Sequence, residues 1–291
     1  METIKNPVEY TGAAVAHGAQ HVASAYRSLQ HIQDTIHSPA PAVRHIAFAD
    51  LRNALREGFD DFGAYRSDVV FLCAIYAVVG LVLARVAFGF GMLSMMFPLA
   101  SGFALIGPFA AIGLYEMSRR RELGMHVSWA NAFDVPQRPG FGAIMVLGLG
   151  LIALFFAWIY TARVIYANTL GPIEPRSLSI FLHDVFLTPA GWALIVVGVG
   201  VGFLFAVVAM SISIVSFPLL LDRDVGLDTA VKTSVRAVRE NPVAMAQWGL
   251  VVAAGLVLGS LPLFVGLVIV LPVLGHATWH LYRKLVMPPA A

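Results

Sequence analysis

Six stretches of apolar residues, at about 68–88, 92–115, 141–162, 190–217, 244–260 and 262–282, are each of a length to cross a bilayer, and none carries a charge near its middle. A hydrocarbon core roughly 30 Å thick needs about 20 apolar residues of helix. No water is available there for backbone N–H and C=O groups, so each span must be helical or part of a closed barrel. Continuous apolarity, rather than alternation, selects helices. The expected fold is therefore an all-α, polytopic bundle of six transmembrane helices. Composition agrees, since 58% of residues are hydrophobic and 12% charged, against roughly 25% charged in soluble domains.

The distribution of charge gives an orientation. Of the 19 Lys and Arg residues, 16 fall before span 1, between spans 2 and 3, between spans 4 and 5, or after span 6. The opposite side has only Arg163 and Arg176, and Arg85 sits near the outer end of span 1. The positive-inside rule then places both termini in the cytoplasm of a multi-pass protein. Residues 1–46 lack the apolar core and cleavage site of a signal peptide, so insertion is expected to begin with span 1. The single cysteine, Cys73, lies inside that span and has no intramolecular disulfide partner. Trp158, Tyr160 and Trp192 are expected at the outer interface, and Trp129, Trp279 and Tyr282 at the inner one.

The connections have helical patterns of their own. Phe48, Leu51, Leu55, Phe59 and Phe62 recur at three- and four-residue spacing, with Arg52, Arg56, Asp60 and Asp61 elsewhere on the helix. Before span 5, Leu227, Ala230, Val231, Val235 and Val238 oppose Lys232, Arg236 and Arg239. A shorter version, Trp129, Ala130 and Phe133, precedes span 3. These are amphipathic helices suited to a membrane surface. Together they suggest a threefold repeat of interfacial helix, span, span, with Ala54, Ala130 and Ala230 at comparable places. Residues 163–189 hold a further amphipathic segment on the opposite face. The organisation is thus an N-terminal cytoplasmic segment at 1–45, partly helical or disordered, a membrane domain at 46–286 and a tail at 287–291.

Few residues carry candidate chemistry. His276 and His280 are four apart and share a helix face, a spacing able to chelate one metal ion. A third ligand would have to come from Asp222 or Asp224. The two cannot serve as opposed haem ligands from one helix, and the other seven histidines fall outside the spans. No intramembrane His or Lys could activate a serine, and no HExxH motif or P-loop is present. Enzymatic activity and a resident cofactor are therefore not expected. Gly198 with Gly202, and Gly255 with Gly259, form small-xxx-small pairs that favour close helix contact in lipid.

The run Ser216–Arg223 (SFPLLLDR), the Asn241-Pro242 pair, the Asp50–Asp61 helix and above all Leu271–Arg283 (LPVLGHATWHLYR) resemble a family of bacterial integral membrane proteins catalogued as a domain of unknown function. The resemblance covers about 45–286 and implies a bacterial inner membrane, with no activity to carry over. Some family members bear a label resembling cytochrome c oxidase subunit I. A haem–copper core needs histidines at depth on several spans, and five of the six have none.

The leading functional expectation is a non-enzymatic scaffold or assembly helper that binds membrane lipid or a membrane protein complex, with no nucleic-acid partner. Its lipid-facing charges would be Arg52, Arg56, Lys232, Arg236 and Arg239. A transporter or channel for a small neutral or apolar solute is one alternative. A metal- or redox-associated protein using His276 and His280 is the other.

Overall fold

A computed structural model of the chain describes residues 35, 38–64, 85, 93–125, 127–128, 134–261 and 265–288. Those residues are helical throughout their ordered elements, with no strand beyond an isolated antiparallel bridge between Val43 and Val286. Helix α1 spans 48–64. It is followed by α2 (Met96–Ala110), α3 (Ile112–Glu122), α4 (Phe141–Thr169), α5 (Leu178–Leu187), α6 (Pro189–Ser213), α7 (Ser216–Asp222), α8 (Leu227–Glu240), α9 (Pro242–Ser260) and α10 (Leu267–Leu285). Among the described residues, four helical stretches are long and apolar enough to cross a membrane: Leu93–Glu122, Phe141–Thr169, Pro189–Asp222 and Pro242–Ser260. The apolar stretch at 68–88 (apart from Arg85), Trp129, Ala130 and Phe133 lie outside the described residues, as do residues 1–34. The stretch expected at 262–282 largely coincides with α10, which turns back against α9.

Two of the long stretches are interrupted, and a proline lies close to each break. Pro108 lies near the end of α2 and Pro218 inside α7. A proline lacks the N–H that would close a helical turn and clashes with the preceding one. At the second break, α8 supplies a partner for one backbone N–H and accepts a side-chain hydrogen bond. Val215 N–H donates to Ser234 Oγ at 3.2 Å, and Ser216 Oγ donates to the Ala230 carbonyl at 3.1 Å. This explains a departure from the expected burial of α8. Its buried stripe is Thr229, Ala230, Thr233, Ser234 and Ala237, while Leu227, Val231 and Val238 pack only partly against the core. Small, hydroxyl-bearing residues let the helix approach a broken backbone and satisfy it.

Residues 38–47 form an extended strap beneath α8. Gly226 N–H donates to Ser38 Oγ at 2.9 Å, and Ile46 N–H to Asn241 Oδ1 at 2.9 Å. Arg44 N–H then bonds the Leu285 carbonyl at 2.8 Å, tying the strap to the end of α10. At the opposite end of the bundle, Glu174 accepts from Ser94 Oγ at 2.8 Å and Arg163 at 2.5 Å, anchoring the loop before α5 to the start of α2.

Several of the aromatic residues assigned to the interfaces are buried within the protein. Trp158 is buried and donates to the Pro98 carbonyl at 3.0 Å, and Trp279 and Tyr282 are wholly enclosed. Tyr160 and Trp192 are exposed. A buried indole or phenol needs a partner for its polar atom, and each of the three buried aromatic residues has one.

The buried stripe of α1 is Leu51, Ala54, Gly58 and Asp61, whereas Phe48 and Phe59 are exposed. Gly58 crosses α10 at Ala277. A Cβ there would lie 2.6 Å from the Ala277 nitrogen and 2.8 Å from its Cα. Gly63, on the same helix, has no neighbour within 4 Å. Alanine in place of a helical glycine gains about 1 kcal/mol of propensity, but a backbone clash cannot be relieved by a side-chain rotation and overpacking costs about 1–3 kcal/mol. Gly58→Ala should therefore lower thermal stability in detergent while Gly63→Ala leaves it equal or raised. Equal behaviour of the two variants would contradict the close crossing.

Candidate functional site

The described ionisable groups that are most deeply buried gather at the arginine-rich end, around α3. With 3.6 residues per turn, Ser118 and Arg121 face one way and Glu116, Arg119 and Arg120 the other. On the first face α1, α3 and α10 converge on Asp61, whose side chain is only 6% exposed. Ser118 Oγ donates to Asp61 Oδ2 at 2.5 Å, and Arg121 pairs with Oδ1 at 2.5 Å. His280 Nε2 lies 2.9 Å from Oδ2 and its Nδ1 lies 3.4 Å from Glu57. Lys284 completes the chain by bonding both Glu57 oxygens at 2.9 Å. His276, fully buried, meets Ser118 Oγ through Nδ1 at 2.7 Å.

The result is a continuous polar chain, from half-exposed Glu57 through His280, Asp61 and Ser118 to His276. Because the Ser118 hydroxyl donates to Asp61, its oxygen accepts from His276, which places a proton on Nδ1. In this arrangement the Ser118 hydroxyl bridges Asp61 and His276. Burial alone would raise the Asp61 carboxyl, but the hydrogen bonds from His280 and Ser118 and the nearby imidazoles outweigh it and hold the group below its ordinary 3.8. A cavity of about 420 Å³ opens beside this chain, lined by Glu57, Asp61, Ser118, Arg121, Glu122, His280 and Arg283.

On the second face, Glu116 is fully enclosed by arginines. Arg120 Nε donates at 2.8 Å, Arg138 also donates to Oε1, and Arg119 Nε stands 3.6 Å from Oε2. Arg120 reaches on to Asp134 at 2.9 Å. Between the two faces, Tyr282 donates to Asp222 Oδ2 at 2.6 Å and Arg283 joins Asp222 to Glu122.

The residues anticipated as sites are distributed as follows. His276 and His280 lie in one cluster, but their acidic neighbour is Asp61 rather than Asp222 or Asp224. Among the described residues no group of three or more His, Cys, Asp or Glu side chains has the geometry to hold a metal ion. Arg52 and Arg56 are exposed on α1 beside Phe48 and Phe59. Lys232 and Arg236 are exposed on α8 but pair with Asp228 at 3.0 Å and Glu240 at 2.7 Å, and Arg239 is exposed next to them. Gly202 packs under Trp158, Gly255 under Val270 and Gly259 against Leu267, while Gly198 has no neighbour within 4 Å.

Residues 96–222 match a family model described as predicted integral membrane protein (DUF2189). This agrees with the resemblance seen in the sequence, although α1, α8 and the closing Leu271–Arg283 run lie outside the matched residues. No curated protein and no solved structure matches the chain. The family description supports an integral membrane protein of unknown function, and the matched segment contains the α3 half of the polar site.

A folded-state Asp61 carboxyl below its ordinary value means that the folded state holds the carboxylate more tightly than the unfolded chain does. Its contribution is fully present above the unfolded pKa of about 4 and is lost as pH falls below it. Asp61→Asn should cost about 3 kcal/mol near neutral pH, the scale for breaking a buried pair. The gap to wild type should narrow as melting curves are taken down through pH 4 toward 3. A gap that is absent near neutrality, or that widens in acid, would contradict the assignment.

Proposed function

We propose that this is a non-enzymatic membrane scaffold or assembly protein of the bacterial inner membrane, with six spans in a threefold helix-span-span arrangement and both termini in the cytoplasm. Its arginine-rich end binds anionic lipid and presents a surface to partner membrane proteins. The observation that carries this reading is the exposed face of α1. Phe48 and Phe59 are 63% and 56% exposed, and Arg52 and Arg56 stand beside them. Large apolar side chains flanked by arginine suit the boundary between acyl chains and anionic headgroups. The buried face of the same helix is fixed to α3 and α10 through Asp61 and Gly58, which holds the exposed face in a set orientation.

Among the charges named from sequence, Arg52, Arg56 and Arg239 contribute more than Lys232 and Arg236, whose positive charge is offset by Asp228 and Glu240. The 420 Å³ cavity is the observation that favours transport instead. Its lining of Glu57, Asp61, Glu122, Arg121 and Arg283 suits a charged group, however, rather than the neutral or apolar solute that a charge-free shaft would pass.

Each basic residue at an anionic surface adds about 1 kcal/mol, so Arg52→Gln with Arg56→Gln should weaken selection of anionic lipid by roughly thirtyfold. The check is native mass spectrometry of protein released from nanodiscs of mixed phosphatidylglycerol and phosphatidylethanolamine. Unchanged enrichment of phosphatidylglycerol in the double variant would count against the reading.

A further inference from the structure

The second face of α3 borders another cavity, of about 130 Å³, whose wall is built by Arg119, Arg138 and Arg223 together with Gly140, Asp222 and Asp224. Three features there call for an anion. Glu116 and Asp134 supply two carboxylates to the three guanidinium groups of Arg119, Arg120 and Arg138. Arg119 is the one left least compensated. Its side chain is 13% exposed, its Nε is buried without a hydrogen-bond partner, and its Glu116 contact is long at 3.6 Å. Arg223 likewise has a buried Nε with no hydrogen-bond partner, although that nitrogen stands 3.6 Å from Asp222 and its Nη2 donates to the Met287 carbonyl.

The third feature is α4. This 29-residue helix has no side-chain cap at Gly140, which lines the cavity, so the positive end of its dipole lies beside it, although Phe141 N–H is already taken by the Arg138 carbonyl. Gly140 is required there, because a Cβ would overlap the Leu220 carbonyl. The opposing charges are Asp222 and Asp224. Asp222 is already held by Tyr282 at 2.6 Å and Arg283 at 3.3 Å, and Asp224 is exposed. A helix N-terminus and planar guanidinium groups together match the donor needs of a phosphate.

We propose that this cavity binds a single phosphate group, carried by an anionic phospholipid of the adjoining leaflet or by free phosphate. In its lipid form the proposal rests on the anionic-lipid reading above, but it uses different residues. Basic pockets between membrane helices are suited to such headgroups. One phosphate at Arg119 supplies the hydrogen bond that Nε lacks.

The test compares wild type, Arg119→Gln, Arg223→Gln and the Arg52→Gln/Arg56→Gln double variant. Native mass spectrometry counts phosphatidylglycerol retained through detergent washing, and thermal shifts are read on delipidated protein with inorganic phosphate. The expected result is one tightly held phospholipid, reduced at least tenfold in occupancy by Arg119→Gln and by Arg223→Gln but kept by the double variant. Phosphate-induced stabilisation of delipidated wild type, lost in both single variants and without any retained lipid, supports the site with free phosphate as its ligand. Neither a retained lipid nor a phosphate shift overturns it, as do values that both single variants leave unchanged. Loss of lipid only in the double variant overturns this site while leaving the surface reading intact.

Discussion

A buried carboxylate at the meeting point of three helices holds this structure's charged end in register. Asp61 brings to α1 the Ser118 hydroxyl and Arg121 guanidinium of α3 and the His280 imidazole of α10. An unpaired carboxylate in that position would carry a desolvation penalty of several kcal/mol. Its partners therefore determine where α1 can rest. The Gly58–Ala277 crossing brings the backbones close enough for the contacts to form, and the strap at 38–47 ties the chain before α1 to the end of α10. Position, rather than net gain in stability, is the main product, because a buried ion network of this kind roughly offsets its own desolvation.

The remainder of the bundle divides its work by polarity. In the shaft, α2, α4 and α6 pack through apolar and small residues, with Trp158 set against Phe205 and Gly202. Lipid provides no hydrophobic drive between helices, so close van der Waals contact and satisfied polar groups must hold them. At the charged end the same helices continue as α3 and α7, where Glu116, Asp222 and their arginines take over. The two prolines mark the transition, and α8 closes the second break with side-chain oxygen and backbone carbonyl groups.

The apolar helices and the amphipathic character of α1 and α8 were legible in the sequence because length and periodicity report directly on burial and solvent. Which stripe of α1 was buried was less legible. Phe48 and Phe59 dominate the apolar pattern, yet the buried line is Leu51, Ala54, Gly58 and Asp61. The four-residue spacing of Ala54 and Gly58 was the available signal, since small residues mark close helix approach, and Asp61 follows in phase. The proximity of His276 and His280 was evident from spacing. Their partners Asp61 and Ser118 were not, since they lie more than 150 residues away along the chain. Glu116 and Arg138 are 22 residues apart, with no helical spacing between them to announce the pair. Ion pairing between distant segments leaves no periodic trace.

The account depends most on the coupling between α1 and α10 through Asp61. A double-mutant cycle with Asp61→Asn and His280→Gln, read as unfolding free energy in detergent near neutral pH, measures it directly. The structure predicts non-additivity of at least about 1 kcal/mol, within the range for residues that share a buried network. Strict additivity would mean that the two side chains do not meet, and that α1 is held to the bundle by something else.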